Sequence, residues 1–126
     1  MGEKMNTLKH FVIALCVVFA GFAQAEVAKK NSDGVTVIHL DEYSGYFSAH
    51  ETLASLKPGD YEFVVTNKSD KLVGFQIQNL SSKENLDMFP LEPGETRTSK
   101  VEVGKDGVRF RCPLNPTPWY DVDVIK

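Results

Sequence analysis

From residue 35 onward the apolar positions recur at a spacing of two, the period at which successive side chains point to opposite faces of a strand. Val35-Thr-Val-Ile-His-Leu40 opens this pattern as a β-branched run. Tyr61-Glu-Phe-Val-Val-Thr66 sets Tyr61, Phe63 and Val65 on one face, and Val73-Gly-Phe-Gln-Ile-Gln78 does the same with Val73, Phe75 and Ile77. Thr96 to Val103 turns Val101 and Val103 inward, Val108-Arg-Phe-Arg-Cys112 alternates apolar residues with Arg109 and Arg111, and Asp121 to Ile125 alternates again. Between these runs lie segments with turn chemistry: Asp41 to Gly45, Pro58-Gly59, Asn67 to Asp70, and Phe89-Pro-Leu-Glu-Pro-Gly94. Gly104-Lys-Asp-Gly107 is a hairpin signal leading into Val108. Ser48-Ala-His-Glu51 matches a capping box, so one or two helical turns through Leu56 and a strand over the same residues are both open. Ser81 to Met88 is polar and predicts a single helical turn or an irregular excursion. Short strands at this spacing, with almost no helical period, predict an all-β antiparallel β-sandwich of about 100 residues.

The first 25 residues follow another rule. Lys4 and Lys9 make a basic start, Phe11 to Phe22 is apolar, and Ala23-Gln24-Ala25 is a small-x-small cleavage site, so 1–25 is expected to be a cleaved signal peptide. Its apolar run, Cys16 included, is too short for a stable membrane span, and no direct membrane insertion is expected. Residues 26–34 then form a flexible tail and 35–126 the single domain, exported to the periplasm. The chain has a net charge of −3, and an acidic, mixed-sign surface argues against nucleic acid as a partner. There is no Gly-rich phosphate loop, no HExxH and no paired-Cys zinc spacing, and Cys112 has no His beside it in sequence to act as a base. An enzyme is not expected.

Cys112 is the one thiol left after processing, in a compartment where thiols are usually paired. It is therefore a buried core residue, an intermolecular bridge or a metal ligand. It closes an alternating strand with its sulfur inward, just before a loop stiffened by Pro113, Pro116 and Pro118 and ended by Trp119 and Tyr120.

Three stretches in this order, Leu56-Lys-Pro-Gly-Asp-Tyr-Glu-Phe-Val-Val-Thr-Asn-Lys68, Leu91-Glu-Pro-Gly-Glu-Thr96 and Val108 to Pro113, resemble the cupredoxins, most closely the small exported bacterial cupredoxin-like domains. The resemblance spans roughly Val35 to Ile125. It implies a Greek-key sandwich with copper at one end, held by a His at the start of a middle strand and by a Cys, a His and usually a Met around the last loop. Cys112 matches that Cys. The other three positions do not match: Lys71-Leu-Val-Gly-Phe75 has no imidazole, and nothing after Cys112 is His or Met.

Copper, if held, needs other donors, and Met88 and His50 are the candidates, since soft sulfur donors select copper(I). His39 lies in strand register with Val35 and Val37 and is read as structural. The leading expectation is copper binding or handling through Cys112 with Met88 and His50, for an exported or membrane-bound redox or copper-handling partner. The alternative is a metal-free interaction module that docks a protein through Pro113, Asn115, Pro116, Pro118, Trp119 and Tyr120, with Tyr43, Tyr46 and Phe47 nearby. A Cys112-linked homodimer is a third reading.

Overall fold

The computed structural model describes residues 26–54 and 56–124. Among the described residues there are nine strands and no helix: β1 (Lys29–Lys30), β2 (Thr36–Tyr43), β3 (Tyr46–Ala49), β4 (Gly59–Asn67), β5 (Val73–Asn79), β6 (Asn85–Leu91), β7 (Thr96–Val103), β8 (Val108–Arg111) and β9 (Tyr120–Val122). They form two sheets, one ordered β1-β2-β4-β7 with β3 also on β2, the other ordered β6-β5-β8-β9. The expected all-β sandwich is thus present, with one correction to its antiparallel character. β2 and β4 run parallel, Thr36 opposite Tyr61 through to Glu42 opposite Asn67, so the first sheet is mixed. The signal peptide expected over 1–25 lies outside the described residues.

The period-two pattern did its work in the core. Ile38 and Leu40 from β2, Phe63 and Val65 from β4, Phe75 and Ile77 from β5, and Val108 and Phe110 from β8 make one buried cluster between the sheets. Its centre is aromatic. Phe110 lies flat on Tyr120 at 5.2 Å, and Phe47 meets Phe75, Phe110 and Tyr120 edge-on at 5.1 to 5.9 Å. Edge-to-face rings satisfy each other's quadrupoles while filling volume, so the small domain packs both sheets through few residues.

Four boundaries differ from the sequence expectation, each for a physical reason. Asp41 to Gly45 is not an interruption: β2 continues to Tyr43, and only Ser44 and Gly45, at φ of 54° and 104°, make the turn into β3. Ser48 and Ala49 end β3, so the capping-box residues are held by sheet pairing, Leu40 opposite Ala49, instead of opening a helix. Asn85 to Leu91 is a full strand, and Pro90 is accommodated in it on an edge strand, where a missing N–H costs no ladder bond. Gly104 to Gly107 is a turn but not a hairpin, because β7 and β8 belong to different sheets. The tail expected over 26–34 supplies β1, whose Lys29 and Lys30 pair with Val37 and Thr36.

Candidate functional site

The inward columns of two paired strands of the first sheet turn polar at the same end. The inward residues of β2 run Thr36, Ile38, Leu40 and then Glu42, and those of β4 run Tyr61, Phe63, Val65 and then Asn67. Asn67 is fully used: its side-chain amide donates to the carbonyls of Lys71 and Leu91, and its oxygen accepts from Ser69. Glu42 is not. It is 0% exposed, and neither carboxylate oxygen has a hydrogen-bond partner. Burial lifts its carboxyl from the ordinary 4.5 to about 7, and the Cys112 side chain beside it offsets part of that rise.

Cys112 completes the pair. Its sulfur is 0% exposed and accepts backbone N–H bonds from Gly74 at 3.4 Å and from Asn115 at 3.3 Å. Gly74 can approach this closely because it has no Cβ: one added there would come within 3.1 Å of the Pro113 ring. Loop 113–119 follows the sulfur, bonds it through Asn115, and is tied down on its far side. The Asn115 side chain donates to the Ser44 carbonyl at 2.5 Å, and the Thr117 hydroxyl to the Gly45 carbonyl at 2.8 Å, so the loop is latched to the β2–β3 turn. A Cβ on Gly45 would meet the Asn115 carbonyl at 2.8 Å, which is why that turn needs glycine beyond its positive φ.

A search against protein-family models and a comparison with curated proteins found no match. The chemistry has to be read from the residues.

The other expected ligands lie elsewhere. Met88 is 53% exposed on β6, opposite Gln76, which in turn pairs with Arg111; all three are on the outer side of the second sheet, whereas Cys112 points in. His50 is on the outer face of the first sheet, where its Nε2 lies 2.8 Å from Asp41. The structure therefore brings neither to Cys112. Among the described residues no three His, Cys, Asp or Glu side chains converge on one point. Val73, in the stretch where the resemblance would place a ligand His, is buried on the inner face. The residues present do not fit a blue-copper set of two His and a Cys. They do offer one sulfur and one carboxylate, the latter without any other partner.

Of the expected docking residues, Pro113 packs on Gly74, Pro116, Pro118 and Asn115 are exposed, and Tyr120 is half-buried with its hydroxyl accepting the Phe47 N–H at 3.1 Å. Trp119 does not close the end of the sandwich. It lies on the outside of β8, with the guanidinium carbons of Arg109 and Arg111 at 3.9 and 4.3 Å from its ring centre. Glu42 is the site residue that sequence reasoning missed. Its signal was its phase, inward in step with Ile38 and Leu40, once β2 is carried past Asp41.

Proposed function

We propose that this chain is an exported, Greek-key cupredoxin-like domain that handles copper, held by Cys112 and Glu42 beneath loop 113–119. The observation that carries this reading is the Glu42 carboxylate, buried with no partner other than the Cys112 thiol. An isolated carboxylate in an apolar interior is costly unless it holds a proton or a cation. A thiolate favours copper(I) and balances its single charge, and the Glu42 carboxylate would take up the proton that the thiol releases, its carbonyl oxygen remaining available as a donor. When bound, the ion would supply a soft Lewis-acid centre. The chain's own part is to fix the sulfur with the Gly74 and Asn115 N–H groups and to exclude water with the latched loop. With two protein donors the coordination is left open, which suits transfer of the ion to a copper-handling partner better than electron transfer at a closed site.

Anaerobic copper(I) titration of the purified protein tests this. One equivalent is expected to bind, with Cys112→Ser abolishing uptake and Glu42→Gln weakening it at least tenfold. Uptake unchanged in both variants would sink the proposal.

A second reading, a docking surface for an exported or membrane-bound protein, is favoured by the distribution of exposed apolar side chains. Tyr43 and Tyr46 flank the turn to which the loop is latched, Leu114 is in the loop, and Leu72 precedes β5 next to Gly74 and Pro113; all four are between 49% and 59% exposed. Leu114→Asp is expected to leave folding and copper(I) uptake unchanged while abolishing cross-linking to a partner from a photo-reactive group placed at Tyr46. Cross-linking that persists in that variant would remove this surface from consideration.

A further inference from the structure

His50 was a candidate ligand that the Cys112 site does not use, and its surroundings are unusual in their own right. The β2–β3 register, Leu40 opposite Ala49, sets His39 and His50 directly across from each other, and the His50 N–H donates to the His39 carbonyl at 2.9 Å. Their rings stack, 19° from parallel with centres 5.7 Å apart. Asp41 shares the outer face of β2 with His39, two residues along the strand.

Each ring is oriented by a carboxylate through one nitrogen only. Glu51, itself buried, accepts the His39 backbone N–H at 2.6 Å with one oxygen and lies 2.7 Å from His39 Nδ1 with the other. His39 Nε2 is thereby left facing outward. Asp41 lies 2.8 Å from His50 Nε2, which leaves His50 Nδ1 without a partner. A carboxylate that fixes the tautomer and ring plane of an imidazole is the usual support of a metal-bound His.

We infer that His39, His50 and Asp41 form a second metal site, on the outer face of the first sheet, for a divalent first-row transition ion such as zinc(II). Two imidazoles and a carboxylate are a donor set suited to such ions. The three are not yet converged. His39 is already fixed by Glu51, and the side chains that must turn are Asp41 and His50, the latter about half exposed. A half-exposed imidazole such as His50 changes rotamer in picoseconds to nanoseconds, and Asp41, 18% exposed, would exchange its bond to His50 Nε2 for the ion. Directly opposed residues on antiparallel strands have Cβ atoms only about 5 Å apart, within reach of one ion from both rings. An open cleft of about 340 Å³ reaches the His39 side of the set, lined by Val37, His39 and Glu51; Lys29 and Lys30, which also line it, oppose a cation, and Glu26 beside them favours one.

The test is calorimetric titration with zinc(II) in the Cys112→Ser protein, which removes the copper site as a competing sink. One zinc per chain is expected. Adding His39→Gln or His50→Gln should raise Kd at least tenfold, and zinc should shift the imidazole proton signals of both residues in the parent protein. Unchanged affinity in both His variants, or no zinc bound by the Cys112→Ser protein, would overturn the inference. Because copper(I) uptake is lost with Cys112 and zinc uptake with the histidines, either proposal can fail while the other stands.

Discussion

Glu42→Gln is expected to stabilise the ion-free protein at pH 8 by roughly 2–3 kcal/mol, an unusual direction for a substitution at a fully buried position. The carboxyl goes from 4.5 in the unfolded chain to about 7 in the native protein, because burial penalises its charged form. Between those values the native state holds a proton that the unfolded state has released. Stability contributed by the neutral form is therefore complete below pH 4.5, falls as pH rises through the window to about 7, and is flat above it. At about 1.4 kcal/mol per unit, the whole drop amounts to about 3 kcal/mol. Glutamine keeps the shape and never ionises, so the variant should lack that part of the drop. In a domain of this size the gain corresponds to a Tm increase on the order of 10 °C at pH 8 and close to none at pH 4.5. Urea unfolding of both proteins at the two pH values, with chelator present, measures it. A variant no more stable than its parent at pH 8 would mean that the carboxyl has a partner in the native protein.

Phe110→Ala is expected to have the opposite and larger effect, a loss of about 3–5 kcal/mol. Phe110 is 1% exposed and touches the rings of Phe47, Phe63, Phe75 and Tyr120, which between them come from four strands and both sheets. β4 and β5, which carry Phe63 and Phe75, are hydrogen-bonded on both sides and cannot collapse into the space. Since domains of this size have roughly 5–15 kcal/mol in all, at least about a fifth of the stability is removed. The check is the urea midpoint, expected to fall by at least about 1 M; a loss under about 1 kcal/mol would show that the aromatic cluster is not what joins the two sheets. Phe110 is also two residues from Cys112 on the same face, so copper(I) uptake should fall with it.

How much of this could be read from the sequence follows from what a period of two encodes. It encodes facing, and so Val73, Phe75, Ile77, Val108, Phe110 and Cys112 are all inward, as the alternation predicts. It does not encode pairing. Nothing local distinguishes the parallel β2–β4 contact from an antiparallel one, and Gly104 to Gly107 turns the chain equally well within a sheet or between two. Turn-forming composition misled at Asp41 to Gly45, where Asp41 and Glu42 are strand residues whose tertiary pairing outweighs their low strand propensity. Misplacing that boundary hid Glu42, and with it half of the proposed donor pair. Met88 and His50 were legible as donors by type, but their facing depends on β6 and β3, the two strands whose sequences gave the weakest alternation. His39 was correctly placed in register on its strand; its partner across the ladder was not, because β3 itself was left open.

The latch between loop 113–119 and the β2–β3 turn ties together parts far apart in the chain. Asn115 holds the sulfur through its backbone N–H and the Ser44 carbonyl through its side chain, and Ser44 is two residues from Glu42. A force that lifts the loop is thus felt at the sulfur and, through the turn, at the strand that carries the carboxylate. Sulfur and carboxylate share one mechanical linkage, so they are gripped together or loosened together.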